Sequence, residues 1–182
     1  MASGEEATEQ DDERGRATMI LLWMMAASLA SSPDLGVAAG RCRTPETGPA
    51  FLVNVDGLKD RAGRLKLELY PANDADFLAD DNVLVSAGKP FARVEAPIAP
   101  DGPVELCIRA PHEGRYALSL LHDRNSDRRF QLSSDGIGFS GNPKLGWSKP
   151  GVARVAVDVG EAPKRITIVM NYRHGLGMRP ER

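Results

Sequence analysis

The residues that could do chemistry gather around one short stretch, His122-Asp123-Arg124-Asn125-Ser126-Asp127. Asp123, Asn125 and Asp127 place oxygen side chains at alternate positions, which is how calcium loops begin. Such a loop next wants a glycine and later a bidentate acid. This chain has Arg128 at the first place and Ser134 at the second, with Asp135 one residue late. Arg124, Arg128 and Arg129 repel a cation, which favours the alternative of an Asx-rich turn bonding its own backbone. His122 and Asp123 are the pair on which a hydrolase would have to rest. Neither Ser119 nor Ser140 lies in a G-x-S-x-G elbow, and neither His112 nor His174 has a partner at ligand spacing, so no catalytic residue is assigned.

Two further patterns match motifs only literally. Gly136-Ile137-Gly138-Phe139-Ser140-Gly141 has the glycine spacing of a dinucleotide loop, but Pro143, Gly146 and Pro150 exclude the helix that must follow. It reads as a glycine-rich loop, and no cofactor is expected. Ser86-x-x-Lys89 is interrupted by Gly88 and followed by Pro90, so it lacks the helix that would align the pair. Phe139 and Trp147 lie in the same loop region, where they either pack back on the body or touch a ligand. The candidate functional surface is therefore the loop from His122 to Phe139, with Trp147 beside it.

The elements that position these residues are strands. Apolar side chains alternate in seven runs: Phe51–Val55, Leu65–Leu69, Phe91–Ile98, Val104–Ile108, Tyr116–His122, Val155–Val159 and Ile166–Tyr172. Period two with turn residues between the runs predicts an all-β fold, an antiparallel β-sandwich of about seven strands, each buried on one face. His122 shares the inward parity of Tyr116, Leu118 and Leu120, which puts it at the rim of the core, bonded to loop backbone. The segment Pro71–Asn82 has room for one helical turn.

Ahead of the sandwich, Arg14 and Arg16 precede the uncharged stretch Ala17–Ala30, and small residues follow. These are the parts of a signal peptide. As a helix the stretch spans about 21 Å, short of a hydrocarbon core of roughly 30 Å, so no stable membrane span is expected after cleavage. The expected organisation is a signal peptide with an acidic extension over 1–39, cut after Ala39, a linker over 40–50, the domain over 51–172 and a C-terminal tail over 173–182. Export predicts a periplasmic or secreted protein and a disulfide between the two cysteines, Cys42 and Cys107. Cys107 has the outward parity of its strand, so it can meet a segment outside the sheet. The cross-link stabilises by about 4 kcal/mol in the chain-entropy model. A formal charge of −2 and 5% aromatics exclude a nucleic-acid platform.

The run Gly114-x-Tyr116 to His122-Asp123-x-Asn125, followed by Gly136-Ile137-Gly138-Phe139, resembles a bacterial secreted family catalogued as domain of unknown function 2141. Strands like LVNVDGL, GRLKLELY and RITIVMNY support the resemblance over about residues 51–172. It implies a sandwich similar to prealbumin-like domains and no assigned activity. The family's loop usually reads D-x-N-x-[DN]-G, from which Arg128 departs.

Three functions are therefore weighed. The first is an exported non-catalytic binding or structural module of the cell envelope, with an envelope protein or a glycan as partner. The second is a weak calcium-dependent carbohydrate-binding or adhesion module using Asp123, Asn125, Asp127 and Asp135. The third is the hydrolase built on His122 and Asp123.

Overall fold

The computed structural model describes residues 33–181. Most of the expected signal peptide, residues 1–32, lies outside the described residues. The chain runs through a short helix α1 (Val37–Gly40), then β1 (Ala50–Asp56) and β2 (Arg64–Pro71). Helix α2 (Asp81–Ser86) precedes β3 (Ala92–Pro97), β4 (Val104–Arg109), β5 (Gly114–Asp123) and β6 (Gly136–Phe139). A 3-10 turn (Val152–Arg154) leads to β7 (Ala156–Val159), β8 (Lys164–Val169), β9 (Asn171–His174) and β10 (Gly177–Pro180). The turn expected within Pro71–Asn82 closes from the Phe77 N–H to the Asn73 carbonyl at 3.0 Å, and helix α2 begins only at Asp81, capped by the Asp80 carboxylate on the Asn82 N–H at 2.9 Å.

Two sheets face each other, as the alternating pattern predicts. The smaller has the order β4-β1-β8; the larger runs β10-β9-β6-β5-β2-β3, with β7 also paired to β5. β5 is long enough to serve two partners on one edge: Gly114–Ala117 pairs with β7, Ser119–His122 with β6. The inward rows Phe51/Val53, Leu65/Leu67/Leu69, Leu106/Ile108 and Leu118/Leu120 meet between the sheets. Burying these rows from water is what holds the sandwich together.

The structure corrects the expectation in four places. β1 and β8 are parallel, so the sandwich is not wholly antiparallel. The expected strand Ile166–Tyr172 breaks at Met170 and changes sheets: β8 joins β1, while β9 joins β6 and β10. Alternation continues through the break because Ile168, Met170 and Tyr172 all stay in the core. Residues 171–180, taken partly as a tail, form the β9–β10 hairpin. Finally, β2 and β5 are buried on both faces, not one. A second cluster lies on the outer face of the larger sheet, where Tyr70, Phe77, Phe91, Ala117 and Phe139 pack together. Tyr70–Phe77, Tyr70–Phe91 and Phe77–Phe139 are edge contacts with centroids 5.4–5.8 Å apart.

That outer layer also covers charge that sequence parity places in solvent. Glu68 is buried beside Arg93, whose guanidinium reaches Glu68 at 2.7 Å and Asp81 at 2.8 Å. The Tyr70 hydroxyl donates to the other Glu68 oxygen at 2.8 Å. The buried charges are thus paired and hydrogen-bonded, as burial requires. The segment before β1 lies over β3 and β4. The Arg93 N–H donates to the Gly36 carbonyl at 3.0 Å, Leu35 packs on the outer cluster, and Gly40 is buried against the Arg93 backbone. Cys42 and Cys107 are joined in a disulfide with Cα atoms 6.0 Å apart, so residues 40–50 are a strap held to β4.

Candidate functional site

Two regions carry the residues singled out above, and they are built differently. The first is the base of the His122–Asp135 loop. His122 is fully buried, as its parity implies. Its Nε2–H donates to the Ala62 carbonyl at 2.8 Å, and that bond fixes the tautomer, because a carbonyl only accepts. Nδ1 then accepts from the Tyr172 hydroxyl at 2.5 Å, whose oxygen accepts the Lys59 N–H at 3.1 Å. The loop His122 bonds is thus the one between β1 and β2, not its own. Burial holds its pKa below the ordinary value, and burial pushes Tyr172 up to about 12.

Asp123, next in β5, points to the opposite face and makes no contact with the imidazole. Its Oδ1 accepts the Asp127 N–H at 3.1 Å and its Oδ2 the Arg128 N–H at 2.7 Å. At the far end Asp135 is equally buried and accepts the N–H groups of Arg124 at 3.2 Å and Gln131 at 2.8 Å. Asn125 also accepts from the Asp127 N–H, and Asp127 from the Arg129 N–H at 2.9 Å. This is the bonding of an Asx-rich turn. The Arg124 side chain donates to Asp60 and holds that carboxyl below the usual range. Among the described residues no group of three His, Cys, Asp or Glu side chains is placed to hold a metal. The hydrolase pair does not assemble: the imidazole is closed to solvent and each of its nitrogens is engaged elsewhere.

The glycines of the 136–141 motif are explained here by packing. Gly136 and Gly138 sit in β6, not in a loop. A Cβ on Gly136 would stand 2.4 Å from the Tyr172 ring, and one on Gly138 2.6 Å from Ile168. Side-chain absence lets β6 lie close over the core, so the spacing records strand packing and not a phosphate cradle.

The second region is an apolar groove of 390 Å³ on the outer face of the larger sheet. Phe139 and Ile137 of β6 form its floor, continuous with the outer cluster. Its walls come from separate loops: Phe130 and Leu132, then Leu145 and Trp147, then Leu176 and Met178 of the terminal hairpin. Seven large hydrophobic side chains are exposed among the described residues, and five of them line this groove, including Trp147 at 76% and Leu176 at 80%. The loop carrying Trp147 is fixed at its end by Lys149, whose ammonium donates to the Asp74 and Phe77 carbonyls at 2.9 and 3.0 Å. The volume falls in the range of small-molecule sites, and a patch of this kind is what binding surfaces expose.

Of the expected functional residues, Phe139 and Trp147 thus come together in the groove, while His122 does not line it. Phe130 and Leu132 lie within the candidate loop but were not singled out by the sequence, and Leu145, Leu176 and Met178 were missed. The available signal was apolar residues inside turn-rich segments, as in LGW and GLGM.

The fold defines a disulfide-tied, two-sheet all-β sandwich with a groove on its outer face. Residues 53–167 match the family described as "Uncharacterized protein conserved in bacteria (DUF2141)", and the chain belongs to that family. Nothing among curated proteins or solved structures matches it. The hairpin that supplies Leu176 and Met178 lies beyond the matched residues.

Proposed function

We propose that this chain is an exported, non-catalytic binding module of the cell envelope, and that it engages an apolar partner through the groove floored by Phe139. The observation carrying this reading is the convergence of five exposed hydrophobic side chains from separate loops on one concavity. Scattered exposed apolar residues are ordinary; a rimmed, contiguous patch is not. Export is supported by the apolar stretch after Arg16 and by the Cys42–Cys107 disulfide. We place the cut after Ala30, in Ser28-Leu29-Ala30, because a cut after Ala39 would remove Leu35 and Gly36, which are built into the fold.

Titration with the neutral apolar fluorophore N-phenylnaphthylamine tests the groove. Wild type gives saturable enhancement, and Met178→Glu weakens it by about tenfold or more at unchanged melting temperature. Equal binding by the two proteins, or none by wild type, would sink the reading.

A further inference from the structure

The charges around the groove indicate what approaches it. The three segments 124–134, 142–150 and 171–180 carry seven Lys and Arg and a single acid, Asp127. The rest of residues 33–181 carries thirteen bases and eighteen acids. The segments that build the groove walls are therefore cationic and the rest of the described chain is anionic, although the chain as a whole is close to neutral. Two of the seven bases are neutralised locally, Arg124 by Asp60 and Arg128 by Glu95. Arg129, Lys144, Lys149, Arg173 and Arg179 form no ion pair among the described residues. Lys149 holds the Asp74 and Phe77 carbonyls, but stability does not call for the other four unpaired cations on the segments that carry exposed Trp147 and Leu176. An anionic, amphiphilic surface does.

Resting on the groove as the binding surface, we infer that this face docks on a bilayer rich in anionic phospholipid, with Trp147 and Leu176 entering the interface. Trp and Leu at loop tips suit that layer, where one side of the side chain is apolar and the other wet. Cations beside them meet the headgroup phosphates, and their attraction extends about one Debye length. An extended peptide is less well served. The neighbouring sheet edge, β10, offers only Gly177–Pro180, and its proline has no N–H to give. A polymer of sugars would leave the apolar floor unmatched. On a bilayer the loop tips insert, the flanking bases sit at headgroup level, and the anionic remainder of the molecule faces away.

The test uses the chain from Ser31, the form that the proposed cut leaves, in which Trp147 is the sole tryptophan and the reporter. It is titrated with unilamellar vesicles of phosphatidylglycerol and phosphatidylethanolamine, and separately of phosphatidylcholine. The expected result is a blue shift of Trp147 emission at least about tenfold more sensitive to phosphatidylglycerol, fading as salt is raised. The variant Lys144→Glu/Arg173→Glu/Arg179→Glu, checked for an unchanged circular dichroism spectrum, loses about a hundredfold in apparent affinity. An equal response to both vesicle types, or no response, overturns the inference. So does saturable binding of an extended apolar peptide with no response to vesicles. If N-phenylnaphthylamine still binds while Trp147 ignores vesicles, the lipid surface fails and the groove reading stands; if neither binds, both fall.

Discussion

The base of the His122–Asp135 loop and the groove below Trp147 lie on the same sandwich and obey opposite rules. At the loop base the buried polar groups have partners: the imidazole holds Ala62 and Tyr172, and each buried carboxylate holds backbone amides. In the groove, apolar surface that could have been covered is left to water. A residue set that looks chemical in sequence can thus be wholly spent on structure, while function sits where folding leaves something unsatisfied.

The largest effect that could break this contrast belongs to the loop base. Gly63 has φ +72°, and a Cβ there would stand 2.0 Å from the Asp123 carbonyl oxygen. Gly63→Ala is expected to destabilise by about 3 kcal/mol, through left-handed strain and backbone overlap together. Denaturant unfolding measures it, and a loss near zero would mean that the two loops do not support each other. Asp123→Ala removes a buried carboxylate that accepts the Asp127 and Arg128 amides and should cost about 2 kcal/mol in the same assay.

The His122 imidazole gives a smaller, pH-dependent signature. Its folded pKa lies below the ordinary value, mainly because it is buried, with Asp60, Arg124 and Asp135 as the nearby charges. Above about pH 6.5 it is neutral in both folded and unfolded states and adds no slope. Below that, the unfolded chain takes a proton that the folded chain refuses, so stability falls with pH until the folded pKa is passed. The slope is at most about 1.4 kcal/mol per pH unit. His122→Gln should flatten stability between pH 6.5 and the onset of carboxylate titration, read as the difference from wild type; an identical slope would mean an exposed imidazole. The smallest effect is calcium at millimolar concentration. The Asp123, Asn125 and Asp127 oxygens already hold loop N–H groups, so calorimetry should show no heat and no change in melting temperature. A saturable heat abolished by Asp127→Ala would return the cation-binding reading.

Much of the loop base was legible from residue types. Leu65, Leu67 and Leu69 alternate, and so does the row that ends in His122; the same rule predicts its burial. Its partners were not legible, because Ala62 and Tyr172 are distant in sequence and meet it only through strand pairing. β6 was missed because Gly136 and Gly138 lie close to Tyr172 and Ile168, which leaves only Ile137 and Phe139 to mark the alternation, too short a run beside glycine to read as a strand. Glu68 has the outward parity of its strand and is buried all the same, since parity gives a side of the sheet and not what covers it. The disulfide, by contrast, was expected from the signal-like N-terminal pattern and the parity of Cys107. The groove needed topology: Phe130, Trp147 and Leu176 belong to three loops whose meeting no local pattern encodes.

The most direct measurement sets the two regions against each other in one assay. Leu176→Glu and Asp123→Ala are compared with wild type for N-phenylnaphthylamine affinity, at a temperature where all three are folded, and for melting temperature. The account predicts that Leu176→Glu loses most of the affinity and keeps its melting temperature, whereas Asp123→Ala melts lower and binds as wild type does. The reverse pattern, with binding lost at Asp123 and untouched at Leu176, would contradict it.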